Sequence, residues 1–138
     1  MDCRKTRPDL AAAVSMIAST AAFNPKEAFD MIKGVWQYIV YTHDHCLTYG
    51  TEEETGMRIE TDASFAASGD RSRTGIMIYW RGNPSVWHSS NQSMATLSTA
   101  EAEMGATVPG LKYGIAIHDF LMDLEPNKTE ANKKIHIR

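Results

Sequence analysis

Cysteine is scarce in this chain. Cys3 and Cys46 are the whole complement in 138 residues, too few for a disulfide framework and suited to a reducing compartment. Long apolar runs are missing too: no stretch of eighteen apolar residues occurs, so no helical membrane span is expected. The N-terminal Met-Asp-Cys-Arg-Lys-Thr-Arg-Pro lacks the apolar segment of a signal peptide. Cytoplasmic or nuclear placement is the resulting expectation. No internal repeat or low-complexity tract is visible. An excess of positive charge is also lacking, with 14 Lys and Arg against 17 Asp and Glu and a net charge of −3. Phosphate contacts normally come from Lys and Arg, so the overall balance counts mildly against tight polyanion binding. A local basic surface remains available around Arg71, Arg73, Arg81, Lys133 and Lys134.

What is present is ordinary for a globular protein, with 43% hydrophobic and 22% charged residues. The length supports one domain, or one domain with an appendage. Residues 8 to about 49 read as two helices and a short strand. Leu10, Val14 and Ile17 fall at helical spacing up to Ala22-Phe23. Asn24-Pro25 starts a second helix, with Asn as cap and Pro in the first turn. Phe29, Ile32, Trp36, Ile39 and Val40 then form one apolar stripe. Thr51-Glu-Glu-Glu-Thr-Gly56 is the best linker candidate. In the histidine pair of His43-Asp-His-Cys46, alternate residues on a strand share a face. Three nearby donors without a distant fourth make a poor zinc site, so a polar loop leading into Leu47-Thr-Tyr49 is the preferred reading.

The second half is richer in chemistry. Arg58-Ile-Glu-Thr-Asp62-Ala-Ser64 reads as a strand carrying a carboxylate, and Gly75 to Trp80 with Ser85 to Ser89 as a hairpin. Leu97-Ser98-Thr99 opens a helix bearing Glu101 and Glu103. Ser98 and Glu101 make an S-x-x-E capping box. Glu103, two residues on and roughly 200° around the helix, points elsewhere. Lys133-Lys-Ile-His-Ile-Arg138 alternates as a half-buried strand does. Pro109-Gly110 is expected to break or kink the helix from Thr99, because an interior proline costs about 3 kcal/mol or more. The helix then resumes near Leu111 and runs to about Leu124. Met104, Ile117, Phe120, Leu121 and Leu124 read as core.

Four short blocks, Thr61-Asp-Ala-Ser-Phe65, Asp70-Arg-Ser-Arg-Thr-Gly75, Trp87-His-Ser-Ser-Asn-Gln-Ser93 and Leu97-Ser-Thr-Ala-Glu-Ala-Glu-Met104, carry a resemblance in order and approximate spacing. They resemble the RNase H domain of copia-type retrotransposon Pol polyproteins. The family reads Ser-Asp-Ala-Asp-Trp, Asp-Arg-Lys-Ser-Thr-Ser-Gly, Trp-Ser-Ser-Lys-Lys-Gln-Ser and Ser-Ser-Thr-Glu-Ala-Glu-Tyr. Arg7-Pro-Asp-Leu-Ala-Ala-Ala-Val14 and Asn24-Pro-Lys-Glu27 resemble the stretch of the same polyprotein between the polymerase palm and RNase H. The resemblance implies an α/β fold in which residues 57–138 form a ribonuclease H-like mixed sheet with packed helices, cut short at its C-terminal side. Residues 1–50 would be a helical remnant of the reverse transcriptase connection. Its first three strands would be antiparallel neighbours, with the helix from Thr99 crossing to a fourth.

The implied activity is hydrolysis of the RNA strand of an RNA–DNA hybrid during reverse transcription. Two Mg²⁺ (or Mn²⁺) ions about 4 Å apart would activate water and relieve phosphate charge. The family holds them with four carboxylates, of which Asp62 matches the first and Glu103 the second. The third follows the fourth strand directly, and this sequence ends at Arg138 without it. Arg71, Arg73 and Thr74, with Ser89, Ser90, Asn91 and Gln92, match loops that approach substrate, although each is also an ordinary turn residue. His88 reads as a polar residue on the open side of its strand. Ser64, Phe65, Asn91 and Met104 depart from the family's Asp, Trp, Lys and Tyr, and Asn91 removes a possible phosphate contact. No Tyr-x-Asp-Asp occurs, so reverse transcription by this chain alone is excluded. The implied partners are the hybrid and the remainder of the Pol polyprotein, with no membrane. A non-catalytic relic or binding fragment is the competing expectation, because the later carboxylates are absent.

Overall fold

The computed structural model describes residues 6–50, 55–66, 71–124 and 134–138. The chain divides into two compact units, Met1–Leu47 and Thr48–Arg138. Asp70 and Lys133, and most of the expected linker, lie outside the described residues.

In the first unit a 3-10 turn, Pro8–Leu10, leads into α1 (Ala11–Ala21), and α2 spans Pro25–Tyr41. The start of α2 follows the sequence: Asn24 accepts from the Glu27 amide at 3.3 Å and its own amide donates to the Glu27 carboxylate at 2.9 Å. Arg7 closes the unit. Its guanidinium pairs with Asp9 at 2.8 Å and donates to the Thr42 carbonyl and hydroxyl at 3.0 and 2.7 Å. Tyr38 donates its hydroxyl to Asp9 at 3.0 Å. The Arg7 guanidinium holds the Asp9 carboxyl below the usual carboxylate range, aided by the Tyr38 bond.

Two expectations for this unit are corrected. The residues after α2 form a turn and irregular chain, with no strand. The expected apolar stripe is also displaced. Ala28 is buried and Met31, Val35 and Ile39 are half-buried, whereas Phe29, Ile32, Trp36 and Val40 are exposed. Each exposed residue follows a buried or half-buried one, a rotation of about 100° around the helix. A pair of helices buries one stripe, and a wide apolar face leaves its outer half uncovered.

The second unit is a mixed α/β layer. Strands β1 (Met57–Ser64), β2 (Arg73–Trp80), β3 (Asn83–Asn91) and β4 (Ile135–Ile137) form a sheet in the order β3-β2-β1-β4. The first three are antiparallel neighbours, and β4 pairs parallel with β1. Helix α3 (Thr99–Leu124) makes the crossover that a parallel pair requires. The hairpin between β2 and β3 turns on Arg81 and Gly82, with φ of 50° and 75°. Both values are positive, as a two-residue type I′ turn demands. The period-2 pattern of β1 and β2 buries Met57, Ile59, Ile76 and Ile78 against α3, with Trp80, Val86, Ile117, Leu121 and Ile135 packed around them. Burying such side chains contributes about 1.5–3 kcal/mol each.

Helix α3 runs unbroken through Pro109, contrary to the expected interruption. The helix also packs unusually close to the sheet. Ala102, Ala106, Gly110, Gly114 and Met122 are its buried residues, mostly spaced by four. A Cβ on Gly110 would overlap Thr61 Cγ2, and one on Gly114 would overlap Ile59 Cδ1. That packing outweighs the missing backbone hydrogen bond. The same stripe corrects the core assignment. Met104, Phe120 and Leu124 are exposed, because each lies two residues, about 200°, from a buried position. Ile117 and Leu121 do pack on the core. No helix among the described residues is long and apolar enough to cross a membrane.

Candidate functional site

The route of α3 along β1 decides which side chains gather. Gly114 lies against Ile59 and Met57, Gly110 against Thr61 and Ile59, and Thr107 Oγ1 is 3.4 Å from Thr61 Oγ1. Moving back along the helix therefore means moving forward along β1, so α3 begins at the end of the sheet where β1 finishes. Asp62 is in the last turn of pleat of β1, and Glu103 is in the opening turns of α3. Parallel β4 finishes at the same end: Arg138 donates its amide to the Ile59 carbonyl at 2.9 Å and accepts from the Thr61 amide at 3.1 Å.

Asp62 and Glu103 approach this end from different sides. Met57, Ile59 and Thr61 face the helix, so Asp62, one residue on, projects from the opposite face. Both carboxylates are exposed, and no described partner holds either one. Glu103 is linked to the strand only through its backbone. Thr107 donates its hydroxyl to the Glu103 carbonyl at 2.9 Å and meets Thr61 on the other side. Glu101 has the capping role. Ser98 Oγ accepts from the Glu101 amide at 3.2 Å, while the Glu101 carboxylate accepts from the Leu97 amide at 2.7 Å.

The sheet register sorts the remaining candidate residues. Asp62 sits opposite Gly75, which sits opposite Ser89; Ser64 sits opposite Arg73, which sits opposite Asn91. Asp62, Arg73, Ser89 and Asn91 therefore share the face away from α3, with Gly75 leaving the middle of the row bare. Arg71 is exposed and Arg73 half-buried. Burial draws the Arg73 guanidinium below its ordinary value, although arginine stays charged in proteins.

Thr74, Ser90 and Gln92 lie on the helix side instead. Thr74 and Gln92 are buried, at 3% and 8% exposure, and Gln92 donates to Thr74 at 3.1 Å and to the Ala102 carbonyl at 2.7 Å. The Gln92 amide nitrogen is thus engaged between β2 and α3, while Thr74, Ser90 and Gln92 also line the cleft on this side of the sheet. Strand alternation explains the split: a run of consecutive residues such as Ser89 to Gln92 cannot all face one way. His88 is also on the helix side, with its ring 5.9 Å from that of Tyr113. It borders a cleft of about 490 Å³ between β3 and α3 that includes neither Asp62 nor Glu103.

Carboxylate oxygens are the donors a hard cation takes, and Mg²⁺ commonly uses one or two of them beside phosphate and water. Asp62 and Glu103 are donors of this kind, leaving the same end of the sheet from different sides. Among the described residues no group of three or more His, Cys, Asp or Glu side chains gathers, so these residues alone do not complete a two-ion site. The histidines near Cys46 form no metal cluster either.

Sequence reasoning missed the bridge made by Gln92 and the contact between Thr61 and Thr107. The repeated small residues at 102, 106, 110 and 114 were a readable signal of close helix packing.

Comparison with curated proteins finds a relative. The chain is 32% identical over 127 residues to a retrovirus-related Pol polyprotein from transposon TNT 1-94 of Nicotiana tabacum. The match covers 91% of this chain and 10% of that protein. The chain thus corresponds to about a tenth of the length of its relative. No family model matches the chain. No solved structure matches it.

Proposed function

We propose that this chain is a portion of a retrotransposon Pol polyprotein and that its second unit is of the ribonuclease H type, acting on the RNA strand of RNA–DNA hybrids. The observation that carries this reading is the meeting of three element ends. The end of β1 bears Asp62, the start of α3 bears Glu103, and the end of parallel β4 lies beside Thr61. The order β3-β2-β1-β4 with a helical crossover and the four sequence blocks agree with it, as does the similarity to a Pol polyprotein.

In this reading Asp62 and Glu103 hold a divalent ion from opposite sides of the sheet end. When bound, Mg²⁺ or Mn²⁺ supplies charge neutralisation at the phosphate and an activated water. Arg71, Arg73, Ser89 and Asn91 flank Asp62 and receive the nucleic-acid backbone. Selection of hybrid over DNA rests on 2′-hydroxyl contacts. The net charge of −3 makes affinity depend on the two arginines.

The test is cleavage of an end-labelled RNA–DNA hybrid in Mg²⁺ or Mn²⁺, with Asp62→Asn and Glu103→Gln alongside. Metal-dependent cleavage lost in both variants supports the reading, and cleavage that survives either substitution refutes it.

A second reading is favoured by one observation, the shortage of gathered metal donors. It holds that the chain as it stands binds nucleic acid or a protein without turning over. Complete absence of cleavage at any metal concentration decides for this alternative.

A further inference from the structure

Gln92 follows the last residue of β3 and is embedded between the sheet and α3. Its backbone amide donates to the Ser72 carbonyl at 2.7 Å. Its side-chain amide donates to Thr74 Oγ1 on β2 at 3.1 Å and to the Ala102 carbonyl of α3 at 2.7 Å. Thr74 is 3% exposed and Ala102 fully buried, so the bridge is shielded from water. An amide hydrogen bond in such surroundings is held firmly, because breaking it strands a buried polar group.

Two features make this contact specific. The carbonyl that Gln92 grips belongs to the peptide joining Ala102 to Glu103, so the bond fixes the backbone plane from which Glu103 departs. Gly105 completes the seat. A Cβ at that position would stand 3.0 Å from Gln92 Oε1 and 3.2 Å from its Cδ and Nε2. The capping box of Ser98 and Glu101 closes the helix on itself and does not attach it to β2. Gln92 does.

We propose that Gln92 is a positioning residue, a tether that fixes the Glu103-bearing turn of α3 to β2 and so sets ion binding at the Asp62 end of the sheet. The consequence for ion binding rests on the proposed role of Glu103; the tether itself does not.

The experiment uses the full 138-residue chain with two variants. Gln92→Met keeps the length and burial of the side chain but removes both donors. Gly105→Ala perturbs the same seat from the helix side. Amide hydrogen exchange is read over residues 102–106 and at Ile59 and Ile78 as core references. Binding of Mn²⁺ alone is followed by water-proton relaxation.

Exchange in both variants should rise by about tenfold over residues 102–106 with the core references unchanged, and Mn²⁺ affinity should fall by about tenfold or more, the usual effect of losing a group that orients a metal ligand. Unchanged exchange in that turn overturns the tether. Unchanged Mn²⁺ affinity beside faster local exchange overturns its role in ion binding. Parent Mn²⁺ binding that survives both Asp62→Asn and Glu103→Gln removes the metal reading instead, and the exchange result then decides the tether by itself. If Gln92→Met does not fold, Gly105→Ala gives the same decision.

Discussion

Replacing Gly114 with Ala isolates the contact that holds α3 to the sheet. At an open helical position this change stabilises a protein by about 1 kcal/mol, the difference in helix propensity. At Gly114 the new methyl would overlap Ile59 Cδ1 and stand 2.9 Å from Ile59 Cγ1. Carbon atoms prefer about 3.5–4.0 Å, so the helix must rise by roughly an ångström, which forfeits a quarter to a half of the dispersion energy across the contact. Ile59 is fully buried among Met57, Ile76 and Ile78, and protein interiors are close-packed, so its displacement disturbs the same cluster. Overpacking of this kind costs about 1–3 kcal/mol. After subtracting the propensity gain, Gly114→Ala should destabilise the second unit by up to about 2 kcal/mol. Ile59→Val removes Cδ1, the atom that is struck, at a cost of about 1 kcal/mol alone. The double variant should therefore be less destabilised than the sum of the singles, by about 1 kcal/mol, where independent sites add within about 0.5. Urea unfolding followed by far-ultraviolet circular dichroism, with hydrogen exchange at Ile59 and Ile78 to assign the unit, measures all four corners. A stabilised Gly114→Ala chain, or strict additivity with Ile59→Val, would refute the close-packing argument.

Two further outcomes are expected. In the first unit, Arg7 lowers the pKa of Asp9 in the folded state. The stability this contributes is fully present above the unfolded carboxyl value of about 3.9 and is lost as pH falls through the lower folded value. Acid unfolding of this unit should therefore be steeper in the parent than in Asp9→Asn; equal slopes would remove Asp9 from the account. In the hairpin, Arg81 holds a φ of 50° that asparagine tolerates better. Arg81→Asn should stabilise the second unit by up to about 0.5 kcal/mol, since the relief of backbone strain is partly offset by loss of the cation–π contact with Trp80. A urea midpoint lowered by that change would count against the turn assignment.

The strands were legible because half-buried sheet has a strict period. Met57 and Ile59 alternate with Arg58 and Glu60, and Ile76 and Ile78 alternate in burial with the half-buried Gly75, Met77 and Tyr79. Asn24-Pro25 and Ser98-Thr-Ala-Glu101 announce helix starts through local hydrogen bonding alone. What the sequence concealed depended on which side of an element meets its neighbour. Phe29, Trp36 and Val40 look like a core stripe by hydropathy, yet a two-helix unit has only one partner surface to offer them. Met104, Phe120 and Leu124 misled for the opposite reason: over its first four turns the packing face of α3 is made of glycine and alanine, and Ile117, Leu121 and Met122 take over only beyond them. Three of the large residues read as core are exposed, while Ile117 and Leu121 do pack. Pro109 misled because its cost is local and the packing that offsets it is not. At the candidate site, the place of Asp62 late in a strand and of Glu103 early in a helix was readable from motif and order. The division of Arg73, Ser89 and Asn91 from Thr74, Ser90 and Gln92 was not, because it needs the register of three strands.

The small-residue face of α3 also bears on the site. A parallel pair of β1 and β4 forces the chain between them to cross the sheet, and a helix returning in that crossover lies against β1 in the reverse direction. A residue late in β1 and one early in the helix must then share an end of the sheet, whatever lies between them in sequence. Topology alone brings Asp62 and Glu103 to the same end. It does not set the height of the helix above the sheet. That height is fixed by Ala102, Ala106, Gly110 and Gly114, and at the open end by the amide of Gln92. Substitutions at Gly110 or Gly114 lie turns away from Glu103, yet they lift the element that carries it. If the proposed ion site is real, the effect of these substitutions on it should follow their effect on helix packing, through a rigid body and not through a change in either carboxylate.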